Sequence, residues 1–177
     1  MGERDRDDGS LALARAFDDA YARLRAPLYS FLLRLARDAR LAEDLLQETW
    51  LRYARQLGRL EPEHDPRPWL FTVARNLYRS HRRWALLDAE RLRELGLWPA
   101  GERAGPLDAL CASESERRLE RALARLPLEQ REAVSLCAAG GLSPAQAAAV
   151  LGISGEAFRQ RLARGRAKLR EGLEREP

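Results

Sequence analysis

Along the N-terminal part of this chain the large apolar residues recur at spacings of three and four: Leu13, Phe17, Tyr21, Leu24, Leu28, Phe31 and Leu35. That period places them on one face of an α-helix. No hairpin signal and no alternating run of β-branched residues occurs anywhere. Val and Ile are scarce, while Leu, Ala, Arg and Glu, all good helix formers, dominate. The chain is therefore expected to be all-α, as two small helical domains joined by a flexible linker, the second containing a helix-turn-helix.

Breakers and caps set the boundaries. Residues 1–10 mix acids and Arg without an apolar stretch, so they read as a disordered tail and not as a secretory signal. A first helix over 11–37 should kink at Pro27. A second, 41–58, ends at Gly58. The Pro- and Asp-bearing stretch 59–66 is a loop, and a third helix, 67–85, starts with Asp65 as cap and Pro66 or Pro68 in its first turn. Gly96, Pro99, Gly101, Gly105 and Pro106 mark 86–113 as a linker with at most a short helix near 88–95. Helices 114–126, 128–139, 144–151 and 155–171 follow, in a second domain over 114–172. The first domain is 11–85. With its few large apolar residues, the linker predicts that the two halves do not share a core.

At 177 residues the chain fits one ordinary domain or two small ones. Two Cys exclude a disulfide scaffold and suggest a reducing compartment, with both thiols neutral and buried. No run of 18 apolar residues exists, so no membrane insertion is expected, and a cytoplasmic protein is.

The formal charge of +4 hides a pattern. Residues 65–93 carry 7 Arg against 3 acids, and residues 158–177 carry 6 Arg and Lys168, the only Lys, against 3 acids. The segments between and before them are net acidic. Two separated basic helices suggest two contacts with a polyanion; Arg-rich solvated faces are the plainer alternative.

The C-terminal block carries the more specific signal. Ser143-Pro144-Ala145-Gln146 combines a Ser cap, a Pro in the first turn and a capping-box Gln. Gly152 suits a left-handed turn, and Ala148 is small where two helices must approach. Phe158, Leu162 and Leu169 form the inward stripe of the last helix. Arg159, Gln160, Ala163, Arg164 and Arg166 lie on other faces and could enter a major groove.

In helix 41–58, Leu46, Trp50, Tyr53 and Leu57 share the inward face. Asp44, Gln47, Glu48 and Leu51 lie away from it, as a protein-docking face or simply a solvated one. In helix 67–85, Leu70, Val73, Leu77 and Trp84 are expected to be buried. Thr72, Arg75, Asn76, Arg79 and Arg83 form a second stripe able to neutralise phosphates and bond base edges. Trp69, Phe71 and Trp84 could stack on unpaired bases, or be core; Trp84 and Trp69 are expected to be core at least in part.

These motifs together resemble an extracytoplasmic-function (ECF) sigma factor of the sigma-70 family. Asp44-Leu45-Leu46-Gln47-Glu48-Thr49 resembles region 2.2. Arg67 to Leu77, with Trp69-Leu70-Phe71 and Ala74-Arg75-Asn76, resembles regions 2.3–2.4. Leu126-Pro127, Gln130-Arg131-Glu132, Gly141-Leu142-Ser143, Leu151-Gly152-Ile153-Ser154 and Arg161 to Arg166 resemble region 4. The resemblance covers about 11–85 and 114–171.

It implies an alternative sigma factor that binds core RNA polymerase and directs promoter-specific initiation. Asp44, Gln47, Glu48 and Leu51 would dock on the coiled coil of the largest subunit. Trp69, Thr72, Arg75, Asn76, Arg79, Arg82 and Arg83 would handle the −10 element, with the 59–66 loop helping Asn76 to hold a flipped base. Arg159, Gln160, Ala163, Arg164 and Arg166 would read the −35 element. Core polymerase, promoter DNA and an anti-sigma factor are the implied partners; no cofactor, metal or catalytic residue is. Two departures stand out. Gly140 occupies a position where the family often has an acid. Glu156-Ala157 replaces a Gly-Thr pair at the start of the recognition helix, and Glu156 would repel a nearby phosphate.

A stand-alone helix-turn-helix regulator is the alternative. It would need a dimer interface or ligand pocket that 1–85 does not clearly offer. An enzyme is disfavoured: His64, His81, Cys111 and Cys137 lack metal spacing, and no phosphate-loop glycine motif appears.

Overall fold

Local capping chemistry fixes most helix boundaries in the computed structural model, which describes residues 2–59, 65–95 and 113–175, with side chains from residue 11. Helix α1 spans Gly2–Ala36 and passes through Pro27. It begins inside the stretch expected to be a tail. Arg37, in the left-handed region at φ 56, closes it. The Asp38 carboxylate then accepts from the Leu41 amide at 3.1 Å and starts α2, Ala39–Gln56, which ends in a 3-10 turn over Leu57–Arg59.

Helix α3 runs Pro66–Glu94, with Asp65 accepting from the Arg67 amide and Pro66 in the first turn. It is longer than the expected 67–85. Ala85-Leu86-Leu87-Asp88-Ala89-Glu90 contains only residues that sustain a helix, so α3 absorbs the short 88–95 helix and the start of the expected linker. Helices α4 (Glu114–Ala124), α5 (Leu128–Ala138), α6 (Pro144–Leu151) and α7 (Gly155–Glu174) follow. Ser113–Glu116 and Ser143–Gln146 close reciprocal capping boxes on α4 and α6. The remainder of the linker, and Cys111 within it, lies outside the described residues.

In the N-terminal half, Leu24, Leu28, Phe31 and Leu35 of α1 meet Leu45, Leu46, Trp50 and Tyr53 of α2 and Leu70, Phe71 and Ala74 of α3. Phe31 and Phe71 meet edge to face at 5.2 Å. Leu13 and Tyr21, expected on the inward stripe, remain exposed at 43% and 38%. In the C-terminal half, α5 and α7 cross closely at Gly165. A Cβ there would fall 2.8 Å from Val134 Cγ2 and 3.2 Å from the Gln130 carbonyl.

Two sequence expectations are corrected. The halves do share a core: one cluster of buried residues runs from Ala20 through Phe71 and Leu136 to Leu162. The linker's composition cannot reveal this, because the contact is made by α1 and α3 against α5 and α6. The buried stripe of α3 is also rotated from the expected one. It consists of Leu70, Phe71, Ala74, Arg75 and Tyr78, because α5 and α6 cover the side that carries Arg75. Trp84, expected to be core at least in part, is 58% exposed, beyond the end of the three-helix packing.

Candidate nucleic-acid interface

The turn between α6 and α7 is built by Gly152, at φ 66, whose conformation a side chain would strain. Its amide donates to the Ala149 carbonyl, and that of Ile153 to the carbonyl of Ala148, itself 4% exposed. Ser154 then accepts from the Ala157 amide and starts α7. Phe158, Leu162 and Gly165 are buried, which leaves Arg159, Gln160, Ala163, Arg164 and Arg166 all exposed. The structure thus brings the five residues singled out on this helix to one accessible side of the molecule.

Glu156 changes what two of them present. Its carboxylate accepts from Arg159 Nη2 at 3.2 Å and from Gln160 Nε2 at 3.4 Å. Both donors suited to base edges are thereby engaged within the helix. The spacing of three and four residues from Glu156 is the sequence signal that would have found these pairs.

On α3, the second stripe divides. Asn76, Arg82 and Arg83 are exposed, and with Ser80 and Leu87 they line a cleft against Leu128 and Glu129 of α5. Thr72 is half-buried, with its hydroxyl donating to the Pro68 carbonyl at 2.7 Å. Trp69 is half-buried against Tyr53, ring centroids 5.9 Å apart. Arg75 is 8% exposed; its Nε donates to Glu132 Oε1 at 3.2 Å and its Nη1 to the Val150 carbonyl at 3.3 Å. Arg79 forks onto the same carboxylate at 2.8 and 2.9 Å. Burial lowers the Arg75 guanidinium pKa from its ordinary value, and Glu132 opposes that shift. Hydrogen bonding to Glu132 raises that of Arg79. Residues 60–64 of the loop expected to assist Asn76 lie outside the described residues.

The Gln130-Arg131-Glu132 motif has a structural reading that sequence reasoning missed. Arg131 Nη2 donates to the carbonyls of Ala124 and Leu126 at 2.7 and 3.0 Å, tying the end of α4 to α5. Glu132, fully buried, reaches across to α3.

On α2, Asp44, Gln47 and Leu51 are exposed, and Glu48 is half-buried and paired with Arg52 at 2.8 Å. Beside them, Tyr21 and Arg25 of α1 and Trp50 of α2 line a groove that also includes Gln47 and Leu51. The α1 side of this groove was not legible from α2 alone. Cys137 is half-buried, and burial pushes its thiol pKa up, with Arg166 opposing. Among the described residues, no group of three or more His, Cys, Asp or Glu side chains could hold a metal ion, and no helix is long and apolar enough to cross a membrane.

A helical pair of basic elements, one of them the second helix of a helix-turn-helix, defines a DNA-binding protein of two all-α modules. Sigma-70 region 2 matches residues 20–85 and Sigma-70 region 4 matches residues 116–169. The RNA polymerase sigma factor CarQ of Myxococcus xanthus is 42% identical over 161 residues, 89% of this chain and 89% of that protein. The ECF RNA polymerase sigma factor EcfG of Rhodopseudomonas palustris is 35% identical over 145 residues, 80% and 76% of the two chains. Among solved structures, the sigma factor RpoE of Bartonella quintana, in complex with the anti-sigma factor NepR, superposes with a TM-score of 0.74 at 25% identity, covering 91% of this chain and 98% of that one. The chain belongs to the sigma-70 family, in its ECF group. It is an alternative sigma factor that directs promoter-specific transcription, and the stand-alone regulator is not favoured.

Proposed function

We propose that α2 docks on core RNA polymerase through Asp44, Gln47, Glu48 and Leu51, that α3 holds and opens the −10 element, and that α7 reads the −35 duplex. Asn76 takes the flipped base of the −10 strand, with Trp69 and Thr72 beside it. Arg75, Arg79, Arg82 and Arg83 neutralise its backbone. Arg159, Gln160 and Arg164 reach base edges in the major groove, Ala163 allows close approach, and Arg166 meets phosphate. The chain works by binding, in the cytoplasm with polymerase and DNA, and makes no bonds itself. By analogy with RpoE, whose structure holds the anti-sigma factor NepR, an anti-sigma factor restrains it.

One observation carries the reading: α2 exposes acids and an amide, whereas α7 exposes Arg and Gln behind a helix-turn-helix turn. Reversing Asp44 and Glu48 to Arg tests the docking face. Core binding should be lost while circular dichroism stays helical. Undiminished co-purification with core would refute the assignment.

A further inference from the structure

A cavity of about 580 Å³ lies where α1, α3 and the start of α5 come together. Its polar wall is Arg37 at the end of α1, Tyr78, His81 and Arg82 of α3, and Arg131 of α5. Among the described residues, no carboxylate lines it. Asp38, next to Arg37, accepts from the Leu41 amide and caps α2. Glu120 pairs with Arg34 at 3.0 Å. Arg37, Arg82 and Arg131 therefore have no acidic partner at ion-pair distance among the described residues.

Guanidiniums taken out of water are ordinarily paired. Here three share one cavity without a counter-charge. Burial lowers the pKa of the Arg131 guanidinium; the charges of Arg37 and Arg82 lower it too, against Tyr78 and Glu120. Donors are also left idle. The Nε atoms of Arg37 and Arg131 are buried and have no hydrogen-bond partner among the described residues, and a buried donor without an acceptor is costly. Arg37 is held at φ 56, where Gly or Asn would be less strained, so the turn itself does not call for an arginine. An anion in the cavity accounts for all three features: it neutralises the cluster, accepts from the idle donors and gives the strained arginine a partner.

Charge and size set the class of anion. Three guanidiniums and a histidine match a multiply charged group, and the fork of arginine donors fits phosphate oxygens. The volume is that of a small-molecule pocket and exceeds what one phosphate needs. The rest of the wall, Leu35, Leu41, Leu126 and Leu128, is apolar and can cover a ring. We propose that this cavity binds an oligophosphate chain, free or as the tail of a nucleotide, gripped by Arg37, Arg82 and Arg131 from three helices. A ligand held in this way stabilises the chain by mass action. Arg37 and Arg131 belong to none of the proposed DNA or polymerase contacts, and only Arg82 is shared with the −10 set.

The test is calorimetric titration of the full chain with sodium triphosphate, ATP, GTP and adenosine, with thermal unfolding in parallel. Triphosphate or nucleotide should bind once per chain and raise the unfolding midpoint; adenosine should do neither. Equal affinity for triphosphate and the nucleotides assigns the site to the phosphate chain alone. Nucleotide binding about tenfold tighter or more assigns it to a nucleotide whose base rests on the apolar wall. Arg37→Gly removes one guanidinium and relieves the left-handed backbone, so the fold is retained. Arg82→Gln removes another from an exposed side chain. Each should weaken binding about tenfold or more. Arg91→Gln, exposed on α3 and outside the cavity lining, should change little. No binding of triphosphate or nucleotide at millimolar concentration overturns the site. So does binding unweakened by Arg37→Gly or by Arg82→Gln, or weakened as much by Arg91→Gln, which would mark general attraction to a basic surface.

Discussion

Glu156 sits at the N-terminus of α7, where its charge favours the helix dipole, and there it engages Arg159 and Gln160. Both side chains of its ion pair with Arg159 are well exposed, at 68% and 71%, so the pair contributes about 1 kcal/mol at most. Releasing it changes affinity by about fivefold or less. Glu156→Ala is therefore expected to tighten binding of holoenzyme to a −35 duplex by a few fold and to change base preference at the positions Arg159 and Gln160 meet. Fluorescence anisotropy on a panel of single-base variants measures both. Unchanged affinity and preference would mean that the carboxylate does not restrain the two donors. By contrast, if α7 reads the −35 duplex as proposed, Gln160→Ala and Arg164→Ala remove contacts worth about 1–3 kcal/mol of discrimination each. They should weaken closed complexes and leave melting on preassembled complexes intact. On the proposed base-holding role of Asn76, Asn76→Ala should do the reverse, because its cost would fall on a flipped base. Permanganate reactivity separates the steps, and normal melting with Asn76→Ala would end the assignment.

At the scale of elements, the close crossing of α5 and α7 depends on Gly165. Gly165→Ala adds a methyl into space already held by Val134 and the Gln130 carbonyl. Overpacking of this kind costs about 1–3 kcal/mol, so thermal unfolding should fall by several degrees while the helical content at low temperature is retained. An unchanged midpoint would mean that the two helices can part without penalty. The elements best read from sequence are those whose ends are set by neighbours along the chain. Ser143, Pro144, Gln146, Gly152 and Ser154 place α6 and the start of α7, because capping and left-handed turns are local chemistry. The faces of α3 were harder. Leu70 was read correctly, but Arg75 is buried by Glu132, 57 positions away in sequence, and no periodicity within α3 reports that. Trp84 was misplaced because large aromatics suggest a core, whereas here α3 outruns its partners. The length of α3 was underestimated because no Gly or Pro falls between Pro68 and Glu94, so nothing in that stretch sustains an end at 85.

For the whole molecule, the two sigma regions were legible in the placement of basic blocks and motifs; their union in one core was not, since it is written in pairs such as Arg34–Glu120 and Phe71–Gly140 that lie far apart in sequence. Joining a −10 and a −35 contact on one polymerase makes the second contact intramolecular and multiplies two modest affinities. The free chain should accordingly show little promoter specificity, and the holoenzyme much more. The most direct measurement is run-off transcription by purified core RNA polymerase on a library of genomic fragments, with and without this chain. The account predicts discrete transcripts that depend on the chain, start downstream of shared −35 and −10 sequences, and vanish with the Asp44→Arg/Glu48→Arg variant. No chain-dependent transcripts, together with tight binding of the chain alone to a palindromic duplex, would contradict it.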